Sequence, residues 1–280
     1  MKYWVLSTLR SLKLLGLADS IKQLLSRIRV YFPNRRFRAR HRGLAMPPYS
    51  LAFDAYNMIS WDTYMTVGRL HAEVFAELIR AAYPTGPVRV LEWGCGPGRL
   101  LRHLPELLGQ DAELTGIDYN EETIAWCSQA LPNIRFETNQ LMPPTNLVSE
   151  SVDAVINFSV FTHLSREAQI AWAAELKRLL RPGGLLICTT HGDNYVHLLA
   201  RKEEVDSYQA GELVVQGNYL EGRKWFLAIH PERFVRDELL AGFTDVARAP
   251  VSPDRQLLQD VWIARKSLQA VETPQPAAIK

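Results

Sequence analysis

The apolar positions of this chain keep a helical period at its start and change to short strand-like runs from residue 88 onward. Between residues 14 and 28, Leu14, Leu17, Ile21, Leu24 and Ile28 recur at spacings of three and four, while Lys22, Arg27 and Arg29 fall elsewhere. That spacing predicts an amphipathic helix. The stretch FPNRRFRARHRGLAMPPYS, residues 32–50, combines prolines with a run of arginines and has no period, so it reads as an extended connector or surface strap. Val67, Leu70, Val74, Phe75, Leu78 and Ile79 then predict a helix that ends before Pro84. Strands are expected near 88–93, 112–117, 134–137, 152–158, 184–190, 225–229, 243–248 and 259–264, and helices near 98–107, 120–130, 165–180 and 231–240. Such alternation predicts an α/β fold in which helices cover both faces of a parallel sheet.

Charge is distributed unevenly. Residues 1–45 carry eleven basic residues against the single acid Asp19, a net of +10, so the chain's overall +2 leaves −8 for the rest. A basic arm on an acidic body suits an anionic partner such as a phospholipid surface met peripherally, an acidic glycan or a nucleic acid, or else packs on the body's own acidic surface. No apolar run approaches the roughly 18 residues needed to span a bilayer. The first apolar stretch, interrupted by Lys2, Arg10 and Lys13, does not read as a secretory signal, although its Arg-rich, acid-poor start resembles a mitochondrial transit peptide. Cys95, Cys127 and Cys188 form no C-x-x-C pair, which points to a reducing compartment and away from a structural zinc. The expected location is cytoplasmic, peripheral to the membrane if the arm meets lipid.

The chemistry concentrates after the first strand, where VLEWGCGPGR places Gly94, Gly96 and Gly98 at G-x-G-x-G before a helix. Missing Cβ atoms allow a tight turn and let a ligand lie against the main chain. A dinucleotide fingerprint places its third glycine one residue later, and a phosphate loop ends in G-K-[ST], whereas Arg99 follows Gly98 here. Twenty residues on, Asp118 ends the second strand, where a carboxylate can accept hydrogen bonds from both hydroxyls of a ribose.

Together with GIDYN, FETNQLMPP, VINFSVFTHLS and LKRLLRPGGLLICTTHG, this loop resembles the class I S-adenosylmethionine-dependent methyltransferases, in particular bacterial members with an SVFTHLS-type motif, over about residues 46–266. The resemblance implies a Rossmann-like, doubly wound seven-stranded sheet in order 3-2-1-4-5-7-6 with the last strand antiparallel, here preceded by an N-terminal helical extension. It divides the chain into a basic arm at 1–45, a methyltransferase domain at 46–268 and a flexible tail at 269–280. S-adenosyl-L-methionine is the implied cofactor. Glu92 matches the motif's acidic position, and Gly94, Gly96 and Gly98 would contact the methionine and ribose portions. Asp118 would hold the ribose hydroxyls, and Tyr119 would cover the adenine. Asn139 and Gln140 stand where many members carry an Asp for the adenine amino group. Asn157 and Ser159 end the fourth strand, where the family's backbone carbonyls hold the cofactor amine, and Tyr64 would be a further cofactor contact.

Methyl transfer from a sulfonium is an in-line displacement that depends on alignment and requires no metal. An alcohol acceptor also needs a base, for which a histidine suits neutral pH. His163 is the first candidate and His191 the second, the alternative for each being a structural hydrogen bond. The fourth strand leads into Asn157-Phe158-Ser159-Val160 rather than the [ND]-P-P-[YF] of nucleobase amine methyltransferases. The expected acceptor is therefore an oxygen on a small molecule, a glycan or a lipid-linked compound, with nucleic acid disfavoured. The excursion at 201–234 is either an acceptor lid or a hairpin over a sheet edge. Remaining alternatives are a non-catalytic cofactor-binding scaffold and an RNA methyltransferase using the basic arm; the glycine spacing disfavours a nicotinamide-dependent oxidoreductase.

Overall fold

The computed structural model describes residues 15–57, 60–217 and 221–268. Lys2, Arg10, Lys13, Leu14 and the tail at 269–280 lie outside them. Four helices come first: α1 (Leu15–Arg29), α2 (Tyr31–Arg40), α3 (Tyr49–Tyr56) and α4 (Trp61–Ala82). Two of these replace the connector expected at 32–50. Pro33 lies in the first turn of α2, where its missing N–H costs no helical hydrogen bond. Tertiary contacts supply the rest: Phe37 is buried in a cluster with Phe53, Trp61 and Tyr64. The Asn34 side chain accepts the Trp61 N–H at 2.9 Å, satisfying one of the orphan donors at the start of α4. A pattern read for periodicity alone misses a helix held by two buried residues.

The body continues as β1 (Arg89–Trp93), α5 (Leu104–Leu108), β2 (Glu113–Asp118), α6 (Glu121–Ala130), β3 (Arg135–Thr138), β4 (Val152–Asn157), α7 (Arg166–Leu179) and β5 (Leu180–Thr190). After these come α8 (Lys202–Gln209), β6 (Val214–Gln216), β7 (Leu227–Ile229), a short α9 (Glu232–Phe234) running into a π-turn, β8 (Thr244–Ala249) and β9 (Asp260–Arg265). Seven strands form one sheet in the order β3-β2-β1-β4-β5-β9-β8. Its β1, β2, β3, β4 and β5 pair in parallel, and β9 is antiparallel to both neighbours. This is the expected Rossmann-like order. The strand expected at 225–229 belongs instead to a separate hairpin, in which β6 and β7 pair antiparallel.

Period-two alternation divides the core between the two faces of the sheet. Leu91, Val155, Leu186 and Cys188 meet Trp172 and Leu176 of α7 on one face. Val90, Ala154, Ile156 and Ile187 meet Phe75 and Ile79 of α4 on the other. The helix expected from residue 98 starts later: the chain turns through the glycines, forms a 3-10 turn at Leu101–His103, and becomes α-helical only at Leu104. The carboxyl ends of β1, β2 and β4 are thus left open beneath the glycine loop, the position where ligands bind in such sheets.

Candidate active site

The glycine loop has the backbone that only glycine adopts readily. Gly94, Gly96 and Gly98 have φ of +70°, +49° and +68°. A Cβ on Gly94 would lie 2.3 Å from Val160, and one on Gly96 would lie 2.8 Å from the Tyr56 hydroxyl. The loop is tied back to β2, because the N–H groups of Gly94 and Cys95 both donate to the Ile117 carbonyl. Beside it opens a cavity of about 480 Å³.

Asp118 lies in the cavity wall. One carboxylate oxygen accepts the Gly96 N–H at 2.9 Å and the other accepts the Asn120 N–H at 2.9 Å. Each oxygen keeps a lone pair for a ligand hydroxyl. Burial raises the Asp118 pKa above the ordinary carboxylate value, and the two backbone donors oppose that rise. Tyr119 also lines the cavity, its hydroxyl donating to the Gly222 carbonyl at 3.1 Å. Asn139 lines it too; its amide N–H donates to the Gln140 carbonyl at 2.6 Å, while its Oδ1 is buried without a partner.

Ser159 follows β4 with φ +62°, an uncommon region for a residue with a Cβ. Its N–H donates to Thr189 Oγ1 at 2.8 Å, and its hydroxyl accepts from the Gln259 amide at 2.8 Å. His163 stands in the 3-10 turn Phe161–His163 and lines the same cavity. Its Nδ1 is 2.7 Å from the Phe226 carbonyl. Since a carbonyl can only accept, Nδ1 carries the proton and Nε2 is left as the basic nitrogen. Burial lowers the His163 pKa from its ordinary value, against the pull of the Phe226 carbonyl, so the imidazole is neutral at pH 7.

Several residues named from the sequence do not line the cavity. Glu92 is buried within β1, and its carboxyl, pushed well up by burial, accepts from the Leu101 backbone. Gly98 faces Leu131 and Cys127. Tyr64 is fully buried and donates to the Pro97 carbonyl at 2.7 Å, supporting the glycine loop from behind. Gln140 is exposed, and Asn157 is buried with neither amide atom paired. His191 is stacked behind Tyr195, ring centroids 3.9 Å apart, and its pKa is lowered to about 3 by burial and then by His163.

Other wall residues come from distant parts of the chain. Tyr56 closes the α3 side, with the Arg99 guanidinium 4.2 Å from its ring centroid. Gln259 arrives from beside β9 and also approaches His191 Nε2 at 3.2 Å. Gly222, Arg223 and Lys224 reach in from the excursion between β6 and β7. That excursion is fastened by Gly222 N–H to the His163 carbonyl at 2.8 Å and by the Ser165 N–H to Glu221 at 2.6 Å. It is both a hairpin and a cavity wall.

Residues 90–184 match the family model described as a methyltransferase domain. Over that third of the chain, the likeness is to a methyltransferase domain. Among curated relatives, a probable S-adenosylmethionine-dependent methyltransferase of Mycolicibacterium smegmatis is 36% identical over 102 residues, 36% of this chain and 37% of that protein. The malonyl-[acyl-carrier protein] O-methyltransferase of Bacillus cereus is 28% identical over 136 residues, 48% of this chain and 49% of that protein. The chain thus spans half or less of the length of these two relatives. Among solved structures, the magnesium protoporphyrin IX methyltransferase of Synechocystis, crystallised with S-adenosylhomocysteine, shares the fold at a TM-score of 0.51 and 20% identity, covering 86% of this chain and 98% of that one. DesVI of Streptomyces venezuelae does so at a TM-score of 0.54 and 14% identity, covering 80% and 100%.

The cavity fits S-adenosylmethionine on its own chemistry. Gly94 and Gly96 leave room for a ligand at the main chain, Asp118 offers a lone pair on each oxygen, and the unpaired Asn139 Oδ1 lacks the donor that an adenine amine supplies.

Proposed function

We propose that the protein transfers the methyl group of S-adenosylmethionine to an oxygen of a small-molecule, glycan or lipid-linked acceptor. The cofactor brings an electrophilic methyl on a good leaving group, so the protein's task is alignment, which can supply on the order of 7 to 11 kcal/mol at the upper limit. Asp118 and the glycine loop would fix the ribose and the methionine portion, and Asn139 would take the adenine amine. His163 would then receive the acceptor's proton on Nε2 as the new carbon–oxygen bond forms.

The observation that carries the choice of oxygen is His163: a neutral imidazole, its tautomer set by the Phe226 carbonyl, in the wall of the cavity that also holds Asp118. A second reading is supported by Arg223 and Lys224 in the same wall. These cations suit a carboxylate acceptor, the oxygen implied by the name of the Bacillus cereus relative, and a carboxylate has no proton to lose. Methyl-labelled cofactor with alcohol and carboxylate acceptors, tested on the wild type and His163→Ala, separates the two. Loss of transfer to the alcohol supports the base. Full transfer to both acceptors by the variant would remove His163 from the chemistry.

A further inference from the structure

The helix α1 is seated on the protein by its polar side. Lys22 Nζ donates to Asn57 at 3.2 Å and lies 5.7 Å from the Phe53 ring centroid, and the Arg27 guanidinium lies 5.0 Å from the Tyr49 ring centroid. Ile21, Leu24, Leu25 and Ile28, spaced as one helical face, are turned to solvent together with Tyr31 and Phe32, each between 51% and 66% exposed. An amphipathic helix that merely completes a core buries its apolar face instead. Around this apolar face, residues 20–42 hold eight basic residues and no acid. All eight side chains are exposed.

We infer that α1 and α2 form a docking surface for an anionic lipid bilayer, with the six apolar side chains entering the interface and the surrounding arginines meeting lipid phosphates. Interfacial helices combine apolar area with basic flanks in this way, and each cation near an anionic leaflet adds to the attraction. A second copy of the chain is a poor occupant, since a two-fold contact would oppose eight cations to eight. Nucleic acid would use the arginines but has no need of a continuous aliphatic face. No helix among the described residues is long and apolar enough to cross a membrane. The surface adjoins α3, whose Leu51, Asp54 and Tyr56 line the cavity, so a docked bilayer would lie beside one wall of the site.

The test is co-sedimentation of the full chain with phosphatidylglycerol-containing vesicles and with pure phosphatidylcholine vesicles, without cofactor, so that the result is independent of the methyl-transfer reading. The expected result is at least about tenfold stronger partitioning onto the anionic vesicles, reduced by salt. Leu25→Asp with Ile28→Asp, and separately Arg35→Glu with Arg36→Glu, should each lower it by about tenfold or more while circular dichroism stays unchanged. Equal partitioning onto both vesicle types, no partitioning, or variants that sediment like the wild type would overturn the proposal. So would a wild-type dimer in solution that Leu25→Asp with Ile28→Asp dissociates, or tight single-stranded RNA binding that this pair leaves intact.

Discussion

The two sides of the cavity are built on opposite principles. On the β1–β2 side the ligand-facing groups are backbone and one carboxylate: Gly94 and Gly96 at positive φ, in a loop whose amides are tied to the Ile117 carbonyl, and Asp118 with an N–H on each oxygen. Short sequence distances and strand register fix all of these. On the other side the wall is assembled from Tyr56, His163, Arg223, Lys224 and Gln259, side chains brought from α3, the turn after β4, the excursion and the edge of β9. The first wall suits a ligand whose shape does not vary. The second can change with the acceptor while the sheet stays the same.

The same contrast explains what could be read before the fold was known. Glycine spacing and an acidic residue at a strand end are local signals with a mechanical reason, and the residues they single out, Gly94, Gly96 and Asp118, lie in the cavity wall. Alternating apolar runs marked most of the strands, and the family resemblance supplied their seven-stranded order. Tyr64 and Tyr56 lie on neighbouring helices with similar patterns, yet only Tyr56 lines the cavity; no local signal separates them, because the difference arises from how α3 and α4 pack. Helix α2 was missed for the same reason, since Asn34 and Phe37 are meaningful only against Trp61. Gln259 has no sequence signature at all.

Substitutions on the two sides should therefore fail differently. The largest effect is expected on the acceptor side: His163→Ala should lower kcat for an alcohol acceptor by roughly 10²- to 10⁴-fold and leave cofactor affinity nearly unchanged. Because burial holds the folded His163 pKa below the ordinary 6.5, the working neutral form predominates at neutral pH and above. Turnover should be flat from about pH 7.5 upward and decline only in more acid solution, and a rise centred near pH 8 would exclude this base.

On the cofactor side, Asp118→Ala removes a charged acceptor and leaves two backbone donors unpaired. It should cost about 2 kcal/mol of cofactor affinity, roughly thirtyfold in Kd by calorimetry, with a smaller effect on acceptor KM. Gly94→Ala places a Cβ at positive φ against Val160 and should lower stability by about 1–2 kcal/mol, read as a reduced Tm. The smallest change is expected from Arg223→Ala, which should raise KM for an anionic acceptor by a few-fold, within about 1 kcal/mol, and leave that for a neutral one unaltered. If Arg223→Ala weakened the cofactor as much as Asp118→Ala, the division of the cavity into two walls would be wrong.

The claim on which the rest depends is that this cavity holds S-adenosylmethionine. Calorimetric titration of the wild-type chain with S-adenosylhomocysteine, alongside a nicotinamide dinucleotide, tests it most directly. The account predicts one-to-one binding of S-adenosylhomocysteine and no heat from the dinucleotide. No heat from S-adenosylhomocysteine, or equal binding of both, would contradict it.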